Sequence, residues 1–173
     1  MTNEPFSLPA LQFLDALGIP YRLYRHNTPT KSMPVRATTL PVWATSLEQV
    51  AAERSQRPEQ VVRSILFRLA KERYGMALIS GPEQISWPAL RKIVGQSRLT
   101  LASPEEVLQV TGYRIGAVTP LGLPVEMPVL ADERIFALEE ISLGSGERGL
   151  ALILRSADLR RALPGMQIVN LLA

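Results

Sequence analysis

Residues 59–80 read EQVVRSILFRLAKERYGMALIS. Two apolar runs, SILFRLA and YGMALIS, flank the polar turn Lys71-Glu72-Arg73, and this pattern predicts two paired strands. Arg63 stands between Val61-Val62 and Ile65-Leu66, at the start of a strand that reads as buried. A charge there is costly unless it is paired or faces a cleft. Arg63 is therefore either a snorkelling arginine at a strand end or a cation presented to a phosphate or carboxylate.

Upstream, Pro9–Leu17 (PALQFLDAL) carries apolar residues at helical spacing and stops at Gly18, with Pro20 beyond it. Tyr21–Arg25 alternates in period two and reads as a strand. Asn27–Pro41, with Pro29, Pro34 and Pro41, reads as a surface loop or arm. Ser46 and Gln49 have capping-box spacing and predict a helix through about Arg54. Downstream, Ser86 caps a helix over about Ala89–Val94, and Ser103-Pro104-Glu105-Glu106 opens another. From Gly112 the expectation is strands and glycine-proline loops: GAVTPLGLP, VLAD, IFAL and LALILR. Ser156 then caps a last helix through about Leu163, and Gln167–Asn170 forms a final short strand.

No repeat or low-complexity tract interrupts the 173 residues, a length that suits one core. The expected architecture is a single mixed α/β or α+β domain over 1–173, on one mostly antiparallel sheet.

Composition excludes much chemistry. With no cysteine there is no disulfide scaffold, no thiol nucleophile and no zinc site with a Cys ligand. A single histidine, His26, removes multi-His metal sites and leaves little room for a Ser-His-Asp triad; it reads as a polar residue at a strand end. No apolar run approaches the ~20 residues of a membrane span, and MTNEPFSLPA lacks the pattern of a secretory signal. The cytoplasm is the expected compartment. The net charge of +3 permits contact with a polyanion without the dense stripe of a dedicated duplex binder. Only Lys31, Lys71 and Lys92 among the 19 basic residues are lysine.

Two glycine-bearing stretches are candidates for a site. GSGERG at 144–149 matches G-x-G-x-x-G, but it runs into LALILR, a strand, and only 24 residues remain, too few for a dinucleotide-binding crossover unit. The better reading is a tight turn whose free N–H groups can form an anion-holding nest. GAVTP at 116–120 lets the backbone approach a ligand at Gly116, while Pro120 fixes the exit direction; an ordinary strand-to-loop corner is the other reading. Lys71-Glu72-Arg73, Arg91-Lys92 and Arg160-Arg161 read as solvated faces.

In order, LYRHNTP, EQVVRSILF, TGYRIGAVTPLGLP and LGSGERGLALIL followed by SADL resemble the YbaK/ProX family, the trans-editing relatives of the prolyl-tRNA synthetase insertion domain. The resemblance runs from about Leu11 to Leu163. It implies a YbaK-like fold, with a mixed, mostly antiparallel sheet or partly closed barrel flanked by helices. It also implies hydrolysis of the ester that joins a wrong amino acid to the terminal adenosine of tRNA(Pro), of cysteine or alanine type. This second sieve serves where binding alone cannot reject a similar side chain.

The resemblance assigns catalytic roles to Arg63 and Gly116. Substrate-binding roles fall to Ser64, to Ala117, Val118, Thr119 and Pro120, and to Gly144, Ser145 and Gly146. It implies no cofactor, no metal and no membrane; the partners are the acceptor end of an aminoacyl-tRNA and a prolyl-tRNA synthetase. The family's lysine falls on Arg63 here, and Ser64 stands where threonine is frequent. Arginine keeps the charge but is planar, bulkier and never a proton acceptor. Either editing is retained in an altered pocket, or the chain is a catalytically altered or inactive module that binds tRNA or a synthetase.

Overall fold

The computed structural model describes residues 8–26 and 43–172. In chain order the elements are α1 (Pro9–Ala16), β1 (Arg22–Arg25), α2 (Trp43–Glu53), a 3-10 turn at Pro58–Gln60, β2 (Val62–Ala70) and β3 (Arg73–Ser80). There follow α3 (Trp87–Val94), β4 (Thr100–Leu101), α4 (Pro104–Thr111), β5 (Val129–Asp132) and a second 3-10 turn at Glu133–Ala137. The chain closes with β6 (Glu140–Gly144), β7 (Leu150–Arg155), α5 (Ser156–Ala162) and β8 (Gln167–Val169).

The strands form two sheets, ordered β1-β7-β6 and β4-β2-β3-β5-β8. The first sheet is antiparallel throughout. In the second, β3 pairs antiparallel with β2 and parallel with β5, and β5 pairs parallel with β8. A parallel bridge between Val61 and Ser142 brings the start of β2 onto β6. The sheets do not close into a barrel.

Alternation along β2 decides what each face buries. Val62 and Leu66 enter a core shared with α1, Ile141, Leu143, Leu152 and Leu154. Phe67 enters a second core with Ala77, Ile79 and Leu90, the last from α3. Phe67 sits directly opposite Gly75. A Cβ on Gly75 would lie 2.6 Å from the tip of the Phe67 ring, so the absent side chain makes room for that fully buried ring. Burying it is worth about 1.5–3 kcal/mol.

The caps form as expected at two helices. Ser86 Oγ accepts from the Ala89 amide at 3.3 Å. Ser103 and Glu106 form a reciprocal box, 3.2 Å and 3.4 Å, and Pro104 sits in the first turn. Elsewhere the structure differs from the sequence reading. α2 begins at Trp43, so Ser46 lies within the helix instead of capping it. Residues 116–124 form a loop, in which Gly116 (φ +94°) and Gly122 (φ +67°) take conformations no strand accommodates. The IFAL stretch belongs to a 3-10 turn, started by Asp132 accepting from the Arg134 amide at 3.0 Å. A strand at Glu140–Gly144 replaces it. The Pro-rich arm at 27–41 lies outside the described residues.

Candidate functional site

The two glycine corners pack against each other. The Gly146 amide donates to Ala117 O at 2.9 Å. A Cβ on Gly144 would collide with Val118 O and lie 2.8 Å from Ala117 O, so only glycine admits this backbone-to-backbone approach. Arg148 adds a third tie, donating from Nε to Ile115 O at 2.9 Å. Tyr113 closes the arrangement: its hydroxyl donates to Leu121 O at 2.8 Å. Burial pushes the Tyr113 phenol up to about 12.

Within the 116–120 loop, Ala117, Val118, Thr119 and Pro120 are buried and Gly116 is exposed. The Ala117 amide is bonded to Arg114 O at 2.9 Å. Among the described residues, the amides of Gly116 and Val118 donate to nothing. In the 144–149 turn two amides of the expected nest are engaged within the fold. Gly146 is tied to Ala117, and the Glu147 amide donates to Ser145 Oγ at 3.2 Å. Ser145 itself is fully buried and donates to Leu150 O at 2.7 Å. This turn is a structural buttress for the other loop, and it leads into β7, not into a helix.

Arg63 and Ser64 leave β2 on opposite faces. Arg63 is opposite Ile79, a member of the core under α3, and Ser64 is opposite Leu78, a member of the main core. The Arg63 guanidinium donates to Gly81 O at 2.7 Å and to Glu83 O. Burial lowers its pKa to about 10, so it remains a cation at neutral pH. Ser64 Oγ is buried without a hydrogen-bond partner among the described residues, a costly state for a hydroxyl.

A polar cluster that sequence reasoning did not find joins the ends of β1 and α2 to β6. His26 Nδ1 is 2.6 Å from Glu53 Oε2. His26 Nε2 meets Arg54 Nε at 3.1 Å and Nη2 at 2.9 Å. Arg54 Nη1 donates to Ser142 Oγ at 2.8 Å. The His26 side chain is only 5% exposed. The 28-residue separation of His26 and Arg54 leaves no local signal for this contact; the only hint was a histidine at the end of a strand.

An open depression of about 560 Å³ is lined by Arg57, Gln60, Glu139, Glu140 and Arg155, and a second of about 340 Å³ by Arg68, Lys71, Arg98 and Thr100. None of the expected site residues lines either. Among the described residues, no three His, Asp or Glu side chains gather as metal ligands, and no helix is long and apolar enough to cross a membrane.

The family model described as an aminoacyl-tRNA editing domain matches residues 42–162. A Proline–tRNA ligase of Kosmotoga olearia is 33% identical over 104 residues, covering 60% of this chain and 18% of the ligase. The Pseudothermotoga lettingae Proline–tRNA ligase is 32% identical over 125 residues, covering 72% and 21%. The chain thus spans about a fifth of these relatives. Among solved structures, a candidate trans-editing enzyme for prolyl tRNA synthetase superposes with a TM-score of 0.78 at 22% identity, covering 99% of both chains. A hypothetical protein gives 0.78 at 18% identity, covering 94% of this chain and 98% of that one. With the match spanning α2 to α5, both glycine corners included, the chain belongs to the aminoacyl-tRNA editing domain family, homologous to prolyl-tRNA synthetase editing domains.

Proposed function

We propose that this domain hydrolyses the ester between a wrongly attached amino acid and the terminal adenosine of tRNA(Pro), with cysteine or alanine as the amino acid removed. The observation that carries this reading is the locked pair of corners: Gly144 and Gly146 pin the Ala117–Val118 backbone, and the amides of Gly116 and Val118 have no acceptor among the described residues. Fixed amides aimed at a carbonyl oxygen stabilise the charge that develops when a nucleophile adds to it.

Water is the nucleophile. Its oxygen bonds to the ester carbon, the carbon–oxygen bond to the ribose breaks, and the ribose oxygen takes up a proton as the amino acid leaves. Neither cofactor nor metal is needed; catalysis rests on placement and oriented dipoles. Ala117, Val118, Thr119 and Pro120 shape the loop that receives the acyl group, with Ser64 offering a buried hydroxyl from β2. Gly144, Ser145 and Gly146 hold that loop from behind. Arg63 is the cation that the family resemblance assigns to the acylated end. The partner is the acceptor end of a tRNA, with a prolyl-tRNA synthetase as the source of mischarged substrate, and the setting is the cytoplasm.

The test is to incubate the protein with cysteinyl-, alanyl- and seryl-tRNA(Pro) and follow ester loss. Loss well above buffer is expected for at least one charge; none above buffer refutes the reading. One observation favours a second reading, a binding module without cleavage: the Arg63 guanidinium is engaged by the Gly81 and Glu83 carbonyls. That reading predicts salt-sensitive tRNA binding with the ester left intact.

A further inference from the structure

Side chains alternate along β6, so Ser142 and Gly144 share one face while Ile141 and Leu143 turn into the main core. The Gly144 Cβ direction points at the carbonyls of Ala117 and Val118. Ser142 Oγ, on that same face, accepts from Arg54 Nη1. The guanidinium of Arg54 therefore lies on the face of β6 that carries the 116–120 loop. His26 is tied to the same corner from the other flank, its amide donating to Gly149 O at 2.8 Å.

The chemistry of this cluster fixes its protonation. Arginine has no acceptor, so His26 Nε2 must be the unprotonated nitrogen that receives Arg54. The ring proton is then on Nδ1, donated to Glu53. His26 thus bridges a carboxylate and a guanidinium, and its Nε2 is engaged by Arg54. Arg54 spends its Nε hydrogen and one hydrogen on each terminal nitrogen, which leaves one N–H on Nη1 and one on Nη2 without a partner among the described residues. Two N–H groups on one planar cation suit an anion with two equivalent oxygens.

We propose that Arg54 is the anion-binding cation of this site, its two remaining N–H groups holding a phosphate near the 3′ end of the RNA, with His26 and Ser142 as positioning residues. The role expected of Arg63 passes to Arg54, because Arg63 departs from β2 on the face of the second core. The identity of the ligand as RNA rests on the proposed ester hydrolysis; the position of the cation does not.

The experiment measures binding of a non-acylated RNA hairpin ending in single-stranded CCA, by fluorescence anisotropy across a chloride series, with thermal melts on the same samples. Arg54→Gln is expected to weaken binding about 10-fold and to flatten the salt slope by about 0.7, one phosphate contact on a single strand. Arg63→Gln is expected to lose less on both measures. A purely structural latch would lower the melting point and leave the slope of the folded fraction unchanged, and that result overturns the proposal. So does a larger loss on Arg63→Gln than on Arg54→Gln. Should Arg54→Gln fail to fold, Arg54→Lys decides: it is expected to keep the wild-type slope and bind several-fold more weakly, because lysine is a single point donor, and a flattened slope would refute the assignment. The RNA carries no ester, so a wild-type protein that cleaves nothing would sink the hydrolase reading while leaving this comparison decisive.

Discussion

The ring of Tyr113 occupies the space that a side chain on residue 146 would need: a Cβ there would lie 2.8 Å from Tyr113 Cε1 and 3.1 Å from Cδ1. Gly146 also has φ +97°, so Gly146→Ala meets both backbone strain and overpacking. Together these are expected to cost about 2–4 kcal/mol. Gly149→Ala, at φ +79° with nothing within 4 Å of the new methyl, meets strain alone, at about 1–2 kcal/mol. Denaturant melts of both variants should rank them in that order, and equal losses would show that the contact with Tyr113 is not restrictive.

The same tyrosine supplies a pH-dependent test. Its phenol is held up to about 12 by burial, against an ordinary value of 10.0. A group whose folded pKa is raised contributes fully below the unfolded value and loses its contribution as pH climbs towards the folded one. Tyr113→Phe removes the titration and the hydrogen bond to Leu121 O. At pH 8 the wild type is expected to be more stable than the variant by about 1–2 kcal/mol. Between pH 10 and 12 the wild type should lose about 2 kcal/mol relative to the variant, most of the two units at 1.36 kcal/mol each, so the gap closes or changes sign. A gap that stays constant or widens over this window would contradict the burial of the phenol.

Much of this architecture is written locally. The β2–β3 pair follows from two apolar runs around one polar turn, and the caps at Ser86 and Ser103 follow from single residues and their spacing. The two glycine corners were also visible as candidates, since glycine marks close backbone approach wherever it sits. What was not legible depends on contacts across the fold. Nothing in EISLG distinguishes a strand from the loop around it until Ser142 meets Val61 and Ile153. IFAL is a continuous apolar run that reads as a short buried strand, and the Asp132 cap that turns it into a 3-10 segment competes with that reading and wins. Arg54 reads as an ordinary helix-end cation; only the folded chain delivers it to His26 and Ser142.

The end of α2 contains an engineering opportunity. The Ser55 amide donates to Ala52 O at 3.0 Å and the Gln56 amide to Ala51 O at 2.8 Å, the bonding of a Schellman cap. Ser55 occupies the left-handed position of that cap, φ 55°, and is exposed. Glycine accepts this conformation without the steric cost of a Cβ. Ser55→Gly is expected to raise stability by up to about 1 kcal/mol, read as a higher denaturant midpoint at unchanged m-value. A lower midpoint would mean that the unfolded chain's extra freedom outweighs the relieved strain.

Gly116 separates the proposed chemistry from folding. It is exposed, has φ +94°, and a Cβ placed on it would come no closer than 3.8 Å to Arg148 Nε. The added methyl therefore fits sterically, but the backbone must relax towards negative φ, turning its amide away from its present direction. For a reaction that depends on amides held in advance of the transition state, a small rotation is expensive. Gly116→Ala is expected to lower kcat/KM for mischarged tRNA(Pro) at least 10-fold, through kcat more than KM, while its melting point falls less than that of Gly146→Ala. Such a split assigns the loop to the chemical step. Wild-type turnover in a folded Gly116→Ala protein would remove this amide from the mechanism and leave the ester carbonyl to be polarised elsewhere.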